Sequence, residues 1–267
     1  MNWSIFTHEY FWLSFLPISA LGAGFWLLLF DRADQKQEPG LKLIMALIAG
    51  SFSAAAFGFI ATKVSLENEF LKIFGEEFFK ILFAILIMEI FRRRFTSPAD
   101  GLIYGFSIGL GFAMFENLFY LVSVFELAEF GDTFWLTFQG RFWTSLLLHG
   151  VTTAIFGLFY ASAFLFATVH KEQRESPLRV FFIPPNWKQF LQILTLHVTR
   201  RHILFANQKT IRGHFARAVL MEGLICAVIF HTIFNLALNY SHPEISFFMA
   251  IGGLLFCVNK AREIGKD

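Results

Sequence analysis

The chain has 267 residues, 56% of them apolar, 18% aromatic and 16% charged, with a mean hydropathy of +0.57 and a formal charge of +2. Soluble domains carry about 25% charged residues and few long apolar runs, so the composition excludes an ordinary soluble domain and points to a polytopic helical membrane protein. The two cysteines, Cys226 and Cys257, fall inside apolar stretches, which argues against a disulfide framework or a cysteine-based zinc site.

Stretches of roughly 20 apolar residues can cross a bilayer as helices. On that basis the chain predicts seven spans, at 11–30, 43–62, 71–91, 101–124, 142–169, 215–239 and 245–259. The breaks hold charges or turn residues, as in Glu38-Pro39-Gly40, Ser97-Pro98 and Ser241-His242-Pro243. Met1–Tyr10 has no Lys or Arg to form a basic leader, so no cleavable signal is expected. Loops 31–42, 92–100 and 170–213 and the tail after 259 hold most of the Lys and Arg, and such loops stay cytoplasmic. The expected architecture is therefore all-α: a transmembrane bundle of about seven spans, N-terminus outside and C-terminus cytoplasmic, with 1–267 a single integral-membrane domain.

Within the cytoplasmic connection 170–213, Trp187, Phe190, Leu191, Leu194 and Val198 recur at helical spacing opposite Lys188, Gln189, Gln192 and Thr195. That pattern predicts an amphipathic helix lying at the inner interface. Gly101, Gly105 and Gly109, and Gly50, Ala54 and Gly58, form small-residue faces at every fourth position. Such faces let helices pack closely in lipid, and packing within the bundle is the expectation.

Four spans each carry a polar pair spaced i, i+4: Glu76/Lys80 with Glu77 beside them, Glu116/Tyr120, His149/Thr153 and His231/Asn235. That spacing places each pair on one helix face, and ionisable groups in spans mark functional sites. With the charge-derived orientation, and about 1.5 Å of rise per residue, Glu76 lies ~7 Å, Glu116 ~12 Å, His149 ~10 Å and His231 ~12 Å below the outer ends of their helices. The four pairs thus converge on one layer in the outer half of the membrane.

The expected site residues are Glu76, Glu77, Glu116, His149, His231 and Asn235, with Lys80 and Tyr120 supporting. A desolvated glutamate suits general-base work on a water. Histidine can share the proton or bind a metal, and His231 with Asn235 could donate to an oxyanion. Thr153 is expected only to make a local hydrogen bond. An ion- or proton-coupled transporter using the same Glu/His layer is the alternative reading, and a non-catalytic scaffold a third.

The four motifs resemble one family. Glu76-Glu77-Phe78-Phe79-Lys80 matches the EExxK element of the PrsW-type intramembrane proteases, and Phe115-Glu116 through Tyr120 their FExxxY element. His149, and His231 with Asn235, match their two histidine motifs, and the resemblance covers about residues 40–260. A more distant likeness, to the type II CAAX prenyl endopeptidases, rests on the double glutamate and HxxxN; those relatives usually have a histidine in the second motif, where this chain has Glu116 and Tyr120. The resemblance implies peptide-bond hydrolysis in a membrane protein, such as a single-span anti-sigma factor cut on its extracytoplasmic side in stress signalling. Glu76 would then activate water with His149 assisting, while His231 and Asn235 stabilise the oxyanion. The expected location is the cell membrane, multi-pass, and in a bacterium the cytoplasmic membrane. The partners are a membrane-protein substrate and the lipid bilayer, with no nucleic acid.

The chain lacks HExxH, yet Glu76, Glu116, His149 and His231 could supply nitrogen and oxygen ligands to a divalent cation such as Zn2+. A glutamate-activated water without metal is the other mechanism, and Lys80 beside the glutamates tips the reading that way.

Overall fold

The computed structural model of the chain describes residues 16–32, 38–91, 96–128, 131–169, 208–240 and 242–264. Its elements are α1 (Leu16–Asp31), α2 (Gly40–Lys63), α3 (Glu69–Phe91), α4 (Pro98–Ala128), α5 (Asp132–Gly140), α6 (Leu146–Val169), α7 (Gln208–Asn239) and α8 (Pro243–Ile264). A π-helical turn, Arg141–Ser145, joins α5 to α6, so the fifth expected span reaches back to Asp132. No strand occurs among the described residues, and the all-helical expectation holds. Most of the connection 170–213, with its expected interfacial helix, lies outside the described residues, whereas its last residues already belong to α7.

Local chemistry sets the helix starts. The Asn68 side chain accepts the Leu71 N–H at 3.0 Å and caps α3. Pro98 opens α4 and Pro243 opens α8, where the missing N–H costs nothing. The Asp100 carboxylate reaches back to accept from the Ser97 N–H at 3.0 Å and the Thr96 N–H at 2.6 Å, which fixes the α4 entry.

The surface is apolar as well as the core, and a few charged groups lie inside. Leu21, Phe52, Ile90, Phe248 and Leu255 face outward, while Glu77 and Lys80 are completely enclosed. An apolar exterior around a core that encloses one polar cluster is what a lipid surround selects. Four helical segments among the described residues are long and apolar enough to cross a membrane: Gly40–Lys63, Pro98–Leu127, Asp132–Phe164 and Leu220–Asn239. Leu16–Asp31 and Pro243–Asn259 are shorter apolar helices. α3 has the length, at 23 residues, but Glu76, Glu77, Lys80 and Glu89 make it more polar than those four.

α4 is the central helix, packed against α6 on one side and α2 on the other. The glycine faces make this possible. A Cβ at Gly101 would lie 2.1 Å from the Gly157 carbonyl oxygen, one at Gly105 2.4 Å from that of Thr153, and one at Gly109 2.0 Å from that of His149. On the opposite side, Gly50 meets the Ile108 carbonyl and Gly111 that of Leu47, and Ser51 Oγ donates to the Gly111 carbonyl at 3.0 Å. The small-residue stripes therefore serve packing within the bundle.

Close approach at Gly109 sets where His149 stands, because the contact is with His149's own carbonyl. Gly109→Ala should lower stability by about 1–3 kcal/mol through overpacking. Gly24→Ala, where a Cβ meets nothing within 4 Å, should stay within about 0.5 kcal/mol. Thermal unfolding of the two variants in detergent makes the comparison.

Candidate functional site

The polar residues of α3, α4, α6 and α7 meet inside the bundle. Lys80 on α3 is the hub: its ammonium donates to Glu77 Oε1 at 2.5 Å, to His149 Nδ1 at 3.0 Å and to Thr152 Oγ1 at 3.3 Å. It also lies 5.1 Å from the centre of the Phe112 ring. An ammonium can only donate, so His149 Nδ1 accepts and the ring proton sits on Nε2. That Nε2–H is donated to Glu116 Oε2 on α4 at 3.0 Å.

The second histidine is fixed from the other side. His231 Nδ1 lies 2.6 Å from Glu77 Oε1, and an ionised carboxylate only accepts, so Nδ1 carries the proton. His231 Nε2 is left with its lone pair, 3.7 Å from Glu76 Oε2. The two imidazoles stand 5.1 Å apart and nearly perpendicular. Two Glu–His pairs result, Glu77–His231 and Glu116–His149, and Lys80 contacts a member of each.

Adjacent glutamates have different surroundings. Glu77 is completely buried and its Oε1 accepts from both Lys80 and His231. Glu76, about 100° around the helix, keeps 16% side-chain exposure and accepts no hydrogen bond among the described residues. Its oxygens remain open to a water or a cation.

Among the described residues, Glu76, His149 and His231 each offer one ligand atom within 4.8 Å of the others. Two imidazole nitrogens and a carboxylate oxygen form a donor set that suits a divalent cation. Glu77 behind His231 is the outer carboxylate that commonly orients a ligating histidine. Glu77 Oε2 is buried with no donor of its own, a further sign that the pocket has room for positive charge. Glu76 and His231 Nε2 fit a metal as they stand, whereas His149 would first have to release Lys80 or Glu116, which occupy its two nitrogens. Glu116 is not part of this cluster, because its Oε2 is already engaged by His149 and by Arg141 at 3.2 Å.

The remaining expected residues sit nearby without direct engagement. Asn235 is half-buried one turn after His231 and makes no hydrogen bond among the described residues. Tyr120 is exposed, and its ring lies under the Arg141 guanidinium at 3.3 Å rather than against Glu116. Thr153 donates to the His149 carbonyl at 2.9 Å, a local bond. Thr152 and Arg141 were not among the expected site residues. Thr152 is i+3 from His149 and escaped the i, i+4 pattern, whereas Arg141 falls just outside the expected span 142–169.

A sequence model described as the PrsW family intramembrane metalloproteases matches residues 38–185. Protease PrsW from Oceanobacillus iheyensis is 31% identical over 98 residues, which cover 34% of this chain and 46% of that protein. The chain thus spans less than half the length of that curated relative. No solved structure matches significantly. The family match contains Glu76, Glu77, Lys80, Glu116, Tyr120 and His149 and stops short of α7, which supplies His231.

Removing Lys80 would leave Glu77 a buried charge without its cation, held by the His231 N–H alone. Lys80→Met should therefore cost about 3–5 kcal/mol, and Lys80→Met with Glu77→Gln should recover much of that loss. Denaturant unfolding in mild detergent measures both, and equal losses would contradict the pairing.

Proposed function

This chain belongs to the PrsW family of intramembrane metalloproteases, and from that premise we propose that it hydrolyses peptide bonds of membrane proteins, with Glu76 acting on the attacking water. The observation that carries the reading is the contrast between two neighbouring carboxylates: Glu77 is tied to Lys80 and His231, while Glu76 keeps free oxygens beside His231 Nε2.

Glu76 orients a water and takes its proton as the water attacks the scissile carbonyl. His149, with its Nε2 proton shared toward Glu116, assists in proton handling. Asn235, an amide donor one turn from His231, faces the developing oxyanion, and His231 joins it as a donor only once its Nε2 has taken up a proton. Lys80 and Glu77 hold the two histidines in their tautomers, and Tyr120 covers the Arg141 side of the site. A divalent cation such as Zn2+ would be held by Glu76 and His231 Nε2, with His149 joining if it released Lys80 or Glu116, and would polarise water and carbonyl when bound.

The proposed substrate is a single-span membrane protein, such as an anti-sigma factor in a stress-signalling pathway. An open apolar groove between α3 and α7, lined by residues including Phe70, Phe74, Val228 and Ile229, suits a hydrophobic segment arriving from lipid. The two helices flanking it carry Glu76 and His231. The proposed topology is one integral-membrane domain with seven spans, the N-terminus outside, in the bacterial cytoplasmic membrane, with the site in the outer half of the bilayer.

Glu76→Gln should reduce cleavage of co-expressed single-span membrane proteins by about a hundredfold or more, with expression unchanged; full proteolysis by that variant would defeat the mechanism. Chelation should suppress cleavage and added divalent metal restore it, whereas chelator-resistant cleavage would assign the chemistry to Glu76 and the histidines alone. For topology, a reporter inserted in 126–141 should be extracytoplasmic, and a cytoplasmic readout would invert the proposed depth.

A further inference from the structure

The π turn before α6 gives Arg141 a task that its place in the sequence hides. We infer that Arg141 is a positioning residue for the proposed reaction: it holds Glu116, and through Glu116 the imidazole of His149. The inference rests on the protease reading above.

Eight positions separate Arg141 from His149. In an unbroken α-helix, each residue turns by about 100°, so Arg141 would point about 80° away from His149. The Leu146 N–H instead bonds back to the Arg141 carbonyl, an i to i+5 closure that takes up one extra residue. The effective separation becomes about seven residues, which returns Arg141 to within about 20° of the His149 face. Both side chains then reach the same atom: Arg141 Nη1 lies 3.2 Å and His149 Nε2 3.0 Å from Glu116 Oε2.

The guanidinium is itself fixed. The same Nη1 lies 3.3 Å from Asn117 Oδ1 and 3.5 Å from Ser145 Oγ, and its plane covers Tyr120. The Trp26 indole on α1 donates to the Phe142 carbonyl inside the π turn at 3.1 Å, which braces the irregular backbone. Arginine keeps its charge at any working pH and offers several donors in a rigid plane. Glu116 therefore has a permanent cation on one side and the His149 N–H on the other, and the position of its carboxylate sets the orientation of His149.

The test compares Arg141→Ala, Arg141→Lys and Glu116→Gln, alone and combined, on a tagged single-span membrane protein that the unaltered chain cleaves in proteoliposomes. Arg141→Ala should lower kcat at least tenfold with KM within twofold, and Arg141→Lys should recover most of the loss. In a Glu116→Gln background, Arg141→Ala should change kcat less than twofold, because its effect passes through Glu116. An unchanged kcat, a change in KM alone, or additive losses would overturn the inference.

A second readout needs no cleavage. Carbethoxylation of His149 by diethyl pyrocarbonate, followed by mass spectrometry, should rise severalfold in Arg141→Ala, return in Arg141→Lys, and leave His231 unaffected. Equal reactivity of His149 in all forms, or a parallel rise at His231 from general loosening, would overturn it. Failure of the unaltered chain to cleave would defeat the protease reading and leave this labelling to decide the role of Arg141.

Discussion

A lysine ammonium with no solvent contact must find a partner for each of its protons, because the desolvation cost of an unpaired charge is several kcal/mol even after relaxation. Lys80 finds Glu77, His149 and Thr152. Those partners sit on two helices, and Glu77 passes the constraint to His231 on a third. The tautomers of both imidazoles follow. Lys80 forces Nδ1 of His149 to accept, and Glu77 forces Nδ1 of His231 to donate, so the two rings present opposite chemistry toward the same space. One ring offers an N–H to Glu116 and the other a lone pair to the Glu76 side. A neutral residue at position 80 would leave the choice at His149 open.

This arrangement demands that α3, α4, α6 and α7 hold fixed separations in a solvent that supplies no hydrophobic drive between helices. Contact between backbones takes its place. Gly101, Gly105 and Gly109 bring α4 against the carbonyls of α6, while Gly50 and Gly111 bring α2 against α4. Gly109 meets the carbonyl of His149 itself, so the same contact that closes the bundle sets the height of an imidazole. Packing and site geometry are thus one set of contacts.

Much of this was legible in the sequence because polar groups inside apolar stretches have few innocent explanations. Glu76, Glu77, Lys80, Glu116, His149 and His231 stood out for that reason, and the structure brings their side chains together. The i, i+4 rule served less well for second members. It selected Thr153, whose hydroxyl turns to its own helix, over Thr152, which reaches Lys80. It set Tyr120 over Glu116, whereas Arg141 lies between that ring and the carboxylate. Arg141 was illegible for a definite reason: a period of 3.6 residues assumes unbroken i to i+4 bonding, and a π turn shifts the phase upstream of it. The span limits of 142–169 failed at the same place, since the helical segment continues through that turn to Asp132.

The double glutamate shows why adjacency in the chain matters. Residues i and i+1 on a helix diverge by about 100°, so Glu76 and Glu77 cannot point into one pocket in the same way. Glu77 turns inward, accepts from a cation and an imidazole, and becomes part of the frame. Glu76 is carried by the same turn of α3, and its backbone is therefore as well placed as that of the buried residue. Yet its carboxylate lies at the edge of the polar interior, with no donor among the described residues and some exposure. A reactive carboxylate needs a rigid support and free lone pairs, and a single residue held by Lys80 and His231 could not have both. Under the proposed reaction, splitting the two requirements between neighbours on one helix satisfies each, and a substitution at Glu77 would harm the frame where one at Glu76 would harm the chemistry.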